Sequence, residues 1–508
     1  MALRTRCTAH RGDSSSYREN TLPAIRSAIA KGADLVEFDL RVTSDGEVIV
    51  LHDPTLERLW GLPRRVSEVT LAEIVALGAA DDRPPRLQEV LAEFDGTASI
   101  PVIDVTDACM IAPAMTIVRA SGISVTWCGD LEAMRTVRCL DGAASIWMPW
   151  DRPVAPAAED LSELRPDTIN VPAYVVTQVL VDGVHARGLR LSAWTVDEAV
   201  DMRAMCDAGV DQVTTNRLEL LQRVVEGRGE GEEMSEQSEY ARERRIAAAL
   251  GEWAIEFTRT ADPGDIRTKR DEADIVTDVD VAVERYVREV IAVQFPEHDF
   301  VGEEMGGTAH PGTPCWYLDP VDGTANFANG MPWTAFSLAL VIDGRPVVGV
   351  VADPWREDLF VAEAGVGARL NGRELRLEAT AADGDPLRGR VVSTELANQY
   401  AWPGMLPMLE ALGQRYCTMR IMGSGTMTLT GVAAGRGIGA VVGSFGPVDH
   451  LAAVLIASEA GAVVRDEEGE DTLFPQSGGV MVAAPAAADA LHALWHEARR
   501  TARGDRAA

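Results

Sequence analysis

From Glu226 to Glu239 the chain runs Glu-Gly-Arg-Gly-Glu-Gly-Glu-Glu-Met-Ser-Glu-Gln-Ser-Glu, and Met234 is its sole apolar residue. So polar a stretch cannot bury enough surface to offset the entropy of ordering it, which predicts an acidic linker at 226–239. It divides the 508 residues into 1–225 and 240–500, each long enough for an α/β domain with its own core. Neither part contains an internal repeat.

In the first part short apolar runs alternate with amphipathic helices. Asn20 is placed to cap a helix over Thr21–Lys31, with Pro23 in its first turn and Gly32 as its stop. Strands are expected at Leu35–Val42, Val48–His52, Ile100–Val105, Thr168–Val171, Leu191–Val196 and Asp211–Thr214. Strand–helix alternation over this length predicts a parallel sheet, most simply a (β/α)8 barrel. The second part opens with helical sequence at Tyr240–Arg259 and Val281–Phe295. It continues with strands at Trp316–Leu318, Ser337–Ile342 and Val347–Ala352, and closes with an Ala-rich helix at Leu451–Ala460. That order predicts a layered α/β domain.

Two clusters carry chemistry. In Val36-Glu37-Phe38-Asp39-Leu40 the period of two puts both carboxylates on one face, a good hard-cation site at a barrel strand end. His10 closes the first strand and His52 the next. Two histidines flanking a divalent cation suit phosphodiester cleavage, one taking the nucleophile's proton and the other protonating the leaving alcohol. Arg11 can clamp a phosphate oxygen. In the second part Gly302-Glu303-Glu304 precedes Asp319-Pro320-Val321-Asp322-Gly323-Thr324, and Asp449 follows far downstream. Pro320 should end the strand Trp316–Leu318 in a tight turn that presents Asp319, Asp322 and the Val321 carbonyl, all oxygen ligands suited to Mg²⁺. Gly323 permits close backbone approach, and a helix starting at Thr324 favours phosphate at its N-terminus.

The charge balance narrows the partners. Lys and Arg number 47 against 78 Asp and Glu, a formal −31, and only Lys31 and Lys269 are lysine. Such a surface repels nucleic acid and anionic membrane. No apolar run approaches the ~20 residues a membrane span needs, and Met1–His10 lacks the apolar core of a secretory signal. Cysteines at 7, 109, 128, 139, 206, 315 and 417 form no CxxC pair, which predicts reduced thiols in a cytoplasmic protein.

The stretches HRG, ENT, GADLVEFDLRVTSDGEVIVLHD, PRLQEVL, AWTVDE and AGVDQVTTN resemble the glycerophosphodiester phosphodiesterase family. The resemblance implies a TIM-type barrel, Mg²⁺ or Ca²⁺, His10 and His52 as the acid/base pair, and Glu37 and Asp39 as metal ligands. Arg11 and Glu19 fall in its substrate-binding motifs, and Trp194 lies where the family places an aromatic residue at the mouth. Asp104-Val105-Thr106 departs from the family's glutamate and lysine: Asp104 can still coordinate, with a shorter reach, but Thr106 cannot supply a cationic phosphate contact.

The stretches DIVTDVD, VGEE, YLDPVDGTANF, MGSGTMTL and VDHLAAVLIASEAGA resemble the inositol monophosphatase family, magnesium-dependent and lithium-sensitive phosphatases. That implies a layered sugar-phosphatase fold holding two or three Mg²⁺ ions through Glu303, Asp319, the Val321 carbonyl, Asp322 and Asp449. Asp280 and Thr324, with Glu303, would position or deprotonate the attacking water. Gly323, Thr324, Gly423, Ser424, Gly425 and Lys269 would contact substrate, and the family also implies a homodimer. Val448 and Leu451-Ala452-Ala453 depart from its pattern, and Val442 stands where inositol-specific members carry an acid. Together the halves predict a bifunctional hydrolase of small phosphodiesters and phosphomonoesters, with glycerophosphoinositol a candidate diester. A phosphonate or other glycerol ester is the alternative substrate, and a binding-only barrel the alternative architecture.

Overall fold

The computed structural model describes residues 4–78, 81–227, 238–268, 275–377, 384–397 and 399–503. Its contacts divide into two compact units, Met1–Ser235 and Glu236–Ala508.

In the first unit eight parallel strands close a barrel: β1 (Arg6–Ala9), β2 (Leu35–Val42), β3 (Ile100–Val105), β4 (Thr126–Gly129), β5 (Ser145–Pro149), β6 (Thr168–Pro172), β7 (Arg190–Trp194) and β8 (Gln212–Thr215). Pairing of β1 with both β8 and β2 completes the ring. β2 and β3 have the expected bounds: apolar and charged residues alternate along β2, and β3 is an apolar run interrupted near its end by Asp104. Two expectations are corrected. The strand expected at Val48–His52 is shorter, Val48–Val50, and it folds back antiparallel on the end of β2 rather than joining the barrel. Helix α1 is Leu22–Ala30, capped by Thr21, which leaves Asn20 free for another task.

The second unit is layered. Helices α2 (Ala241–Thr260) and α3 (Asp278–Gln294) cover one face of an eight-stranded, mostly antiparallel sheet. That sheet includes β9 (Asp299–Gly302), β10 (Cys315–Asp322), β11 (Ala335–Ile342) and β12 (Arg345–Asp353). On its other face lie α4 (Gly425–Ala433) and α5 (Pro447–Glu459). Every residue from His450 to Ala457 is buried, since α5 packs in one core with strands of both this sheet and a five-stranded second sheet. Alanine suits such a helix, because each small side chain lets a sheet approach closely. The helix begins at Pro447 rather than Leu451, so Asp449 belongs to its first turn.

Candidate active sites

At the C-terminal end of the barrel β2 presents Glu37 and Asp39, and Asp104 of β3 is in register with Asp39. Burial, then the nearby charges of Asp39 and Asp104, pushes the Glu37 carboxyl well above its usual range. Burial and the Asp39 charge raise Asp104 to about 7. Crowding of this kind favours either protons or a divalent cation. The thiol of Cys128 on β4 lies 3.5 Å from Asp104 Oδ2.

Asn20, at φ 58°, accounts for the orientation of Asp39. Its amide nitrogen donates to Asp39 Oδ2 at 2.7 Å, and its oxygen accepts the Asp39 amide at 3.3 Å. A comparable chain orients His10. Asp197 can only accept, so the nitrogen of the Asn216 amide must face it, at 2.7 Å. The Asn216 oxygen then takes the proton of His10 Nδ1 at 2.8 Å. His10 Nε2 is left facing Glu37, 3.8 Å away. His52 bonds Asp53 in the same manner, Nδ1 to Oδ1 at 2.8 Å. Arg11 bonds Glu19 at 2.9 Å, lies 3.3 Å from Asp39, and donates its backbone N–H to Glu37 at 3.0 Å. Arg58 joins Glu19 to Asp53. Trp194 ends β7 with its side chain exposed.

In the second unit Glu303, Asp319 and Asp449 each offer an oxygen, and the three oxygens lie within 4.8 Å of one another. They come from the end of β9, from β10 and from the first turn of α5. Burial, then the charge of Glu303, pushes Asp319 well above the usual carboxylate range. An all-oxygen, anionic donor set of this kind fits Mg²⁺. Pro320 does not end the strand as expected. Pairing resumes at Asp322↔Ala335 after Asp319↔Ser337, so Pro320 and Val321 bulge out opposite one partner residue. Proline donates no ladder hydrogen bond, and a bulge is where a sheet tolerates that.

Past the bulge, Asp322 Oδ2 accepts Ser424 Oγ and the Thr426 N–H, each at 2.6 Å, which anchors it to the start of α4. Burial and the Asp449 charge raise Asp322 to about 6. Gly323 is required here: its φ is 87°, and a Cβ would stand 2.9 Å from the Gly423 carbonyl oxygen. At Gly425 a Cβ would stand 2.5 Å from His450 Nε2. The Thr324 hydroxyl lies 3.0 Å from the Val321 carbonyl and 3.2 Å from Asp280 Oδ1. Asp280 is fully buried and bonded through its other oxygen to Thr277, the cap of α3. Lys269 lies outside the described residues.

Residues 234–501, more than half of the chain, match the family model described as the inositol monophosphatase family. The chain belongs to that family. Residues 10–119 and 130–220 match the model of the glycerophosphoryl diester phosphodiesterase family. The protein therefore joins a unit of glycerophosphoryl diester phosphodiesterase type to an inositol monophosphatase-family unit. A Nus factor SuhB of Pasteurella multocida is 37% identical over 215 residues, covering 42% of this chain and 79% of that protein. Inositol monophosphatase 2 of Solanum lycopersicum is 34% identical over 207 residues, covering 39% of this chain and 77% of that protein. The solved structure of an IMPase of Thermotoga maritima is 27% identical and covers 51% of this chain and 99% of its own, with a TM-score of 0.47.

Several supporting groups in this inositol monophosphatase-family chain escape a reading of the sequence. Glu284 on α3 is buried and accepts the N–H groups of Glu304 and Met305, so it fixes the turn after Glu303. Glu395 accepts the N–H groups of Met422 and Gly423 and so braces the glycine loop. Asn326 ties that loop to Trp333 through two bonds of 2.8 Å. Each is a polar residue far in sequence from what it holds. Asn20 and Asn216 sit inside the ENT and TTN motifs, whose very presence is the available signal.

Proposed function

We propose that the barrel hydrolyses a glycerophosphodiester, with glycerophosphoinositol a candidate, to an alcohol and a phosphomonoester, and that the second unit releases phosphate from a monoester. The convergence of Glu303, Asp319 and Asp449 carries the monoesterase half of this reading. Glu37, Asp39 and Asp104 would hold Mg²⁺ or Ca²⁺ in the barrel, while Glu303, Asp319, the Val321 carbonyl, Asp322 and Asp449 would hold two or three Mg²⁺ ions. Bound there, divalent cations neutralise phosphate charge and lower the pKa of coordinated water.

In the barrel His10 Nε2 and His52 Nε2 exchange protons with nucleophile and leaving alcohol, because Asn216 and Asp53 occupy the two Nδ1 atoms. In the phosphatase unit the Thr324 hydroxyl has one proton and two acceptors within reach. Donating it to Asp280 turns a lone pair toward the attacking water, whose proton it accepts as its own passes on; Glu303 orients the same water. Gly323 and the Gly423-Ser424-Gly425 loop, with Lys269, would receive the substrate. Val442, buried in its strand, offers sugar hydroxyls no acceptor, which supports a small monoester such as glycerol phosphate over a strict inositol requirement. A homodimer through the phosphatase unit agrees with the family resemblance, and a reducing cytoplasm agrees with seven free thiols.

Separate assays test this reading, with glycerophosphoinositol as the diester and inositol phosphate and glycerol phosphate as monoesters. Diester hydrolysis should need Mg²⁺ or Ca²⁺, monoester hydrolysis should need Mg²⁺, and both should vanish in EDTA. Hydrolysis of monoesters alone, with every diester of a wider panel untouched, would leave the barrel a binding module.

A further inference from the structure

Three arginines stand at the mouth of the barrel, and their partners differ. Arg11 and Arg58 are engaged by carboxylates, the first by Glu19 and Asp39, the second by Glu19 and Asp53. Arg41 follows Glu37 and Asp39 at the same period of two, so β2 carries it on their face. It is half-buried and feels the charges of Asp39, Asp104 and Asp53, yet it forms no ion pair among the described residues. One nitrogen, Nη1, makes both of its bonds, to the Leu40 carbonyl at 2.9 Å and to the Thr106 hydroxyl at 3.0 Å. Both acceptors are neutral. The Nε and Nη2 nitrogens have no protein acceptor among the described residues and are not sealed from solvent.

Three carboxylates around one divalent cation leave little positive charge to spare for a diester anion at Glu37, Asp39 and Asp104, and an arginine already spent on carboxylates adds little. We propose that Arg41 is the substrate-binding residue that receives a non-bridging phosphate oxygen of the diester, with Thr106 and the Leu40 carbonyl fixing its guanidinium at the mouth. The inference rests on the reading of the barrel as a diesterase. Its chemistry is that of a planar fork whose free N–H groups match two anionic oxygens, which a neutral side chain cannot replace and an ammonium replaces only in part.

The test uses the full chain carrying Asp322→Asn, so that product is not consumed. Arg41→Ala should lower diester kcat/KM by about tenfold or more, as loss of a charged hydrogen bond does, with circular dichroism unchanged. Added guanidinium ion should restore part of the loss, Arg41→Lys should retain part, and Thr106→Val should fall between parent and Arg41→Ala. Calorimetry with dimethyl phosphate in Mg²⁺ or Ca²⁺ supplies a readout independent of turnover, and Arg41→Ala should weaken that binding by a similar factor. Unchanged kcat/KM and unchanged dimethyl phosphate binding would overturn the proposal. If the parent cleaves no diester, the diesterase reading fails on its own and calorimetry still decides: weaker binding in Arg41→Ala upholds Arg41 as a phosphate ligand, and equal binding removes it.

Discussion

Asp197 reaches the chemistry only through Asn216 and His10, yet it sets which way both face. Asp197→Asn lets the Asn216 amide turn over and present a donor to His10 Nδ1. Diester kcat/KM should then fall about 10–100-fold, the usual cost of losing an orienting partner behind a site, while monoester hydrolysis stays unchanged. Steady-state kinetics on the two substrates checks this. Thiol chemistry is also decided by surroundings. Burial and the nearby Asp34 charge push Cys7 up to about 12, and burial raises Cys128 well beyond the usual thiol range, whereas Cys109 and Cys139 are exposed. A thiolate is the reactive form, so a thiol reagent at pH ~8 should label exposed Cys139 promptly, label exposed Cys109 more slowly because the Asp107 carboxylate holds its thiol up, and spare Cys7 and Cys128 until denaturant is added; peptide mapping reads the outcome.

Among the elements, β2 is legible in the sequence because alternation marks its two faces, and β3 because an apolar run carries the charged Asp104 near its end. β4 (Thr-Trp-Cys-Gly) and β5 (Ser-Ile-Trp-Met-Pro) are too short to show a period, so the sequence does not announce them. The carboxylates proposed as metal ligands can be read from their spacing, but Glu284 and the partner of Asn20 cannot, since only the tertiary fold brings each to what it holds. The proline in β10 signals a strand end by sequence, yet the neighbouring strand pairs again beyond it and absorbs Pro320 as a bulge. A close approach of backbones depends on Gly323. Gly323→Val would force both a φ of 87° and a 2.9 Å clash with the Gly423 carbonyl, separating Asp322 from α4. Monoesterase activity should drop at least about 100-fold, an estimate from misplacing reacting groups by an ångström, while diesterase activity persists. Parallel assays of one preparation distinguish this from global unfolding.

For the whole molecule, two carboxylate-rich sites within one chain make stability depend on pH and cations together. Burial with neighbouring charge raises Asp104 to about 7 and Asp322 to about 6, and it pushes Glu37 and Asp319 well above the usual carboxylate range. Such groups keep a proton in the native state that the unfolded chain has already lost. Their stabilising contribution is therefore fully present below pH ~4, the unfolded carboxylate range, and is lost as pH rises through the folded values. In EDTA the chain should melt at a lower temperature at pH ~8 than at pH ~5.5, and Mg²⁺ should close that gap by binding the native carboxylates. Asp319→Asn should melt higher than the parent in EDTA at the upper pH and lose part of the Mg²⁺ shift; calorimetric melts at both pH values measure it.

Consecutive hydrolysis at two separate sites is most directly tested by following a diester through phosphorus NMR in a single tube with Mg²⁺. The parent chain should convert diester to monoester and then to inorganic phosphate. His52→Ala should leave the diester intact while still hydrolysing added monoester, and Asp319→Asn should stop at the monoester. Diester cleavage by His52→Ala at the parent rate, or phosphate release by Asp319→Asn, would contradict the account.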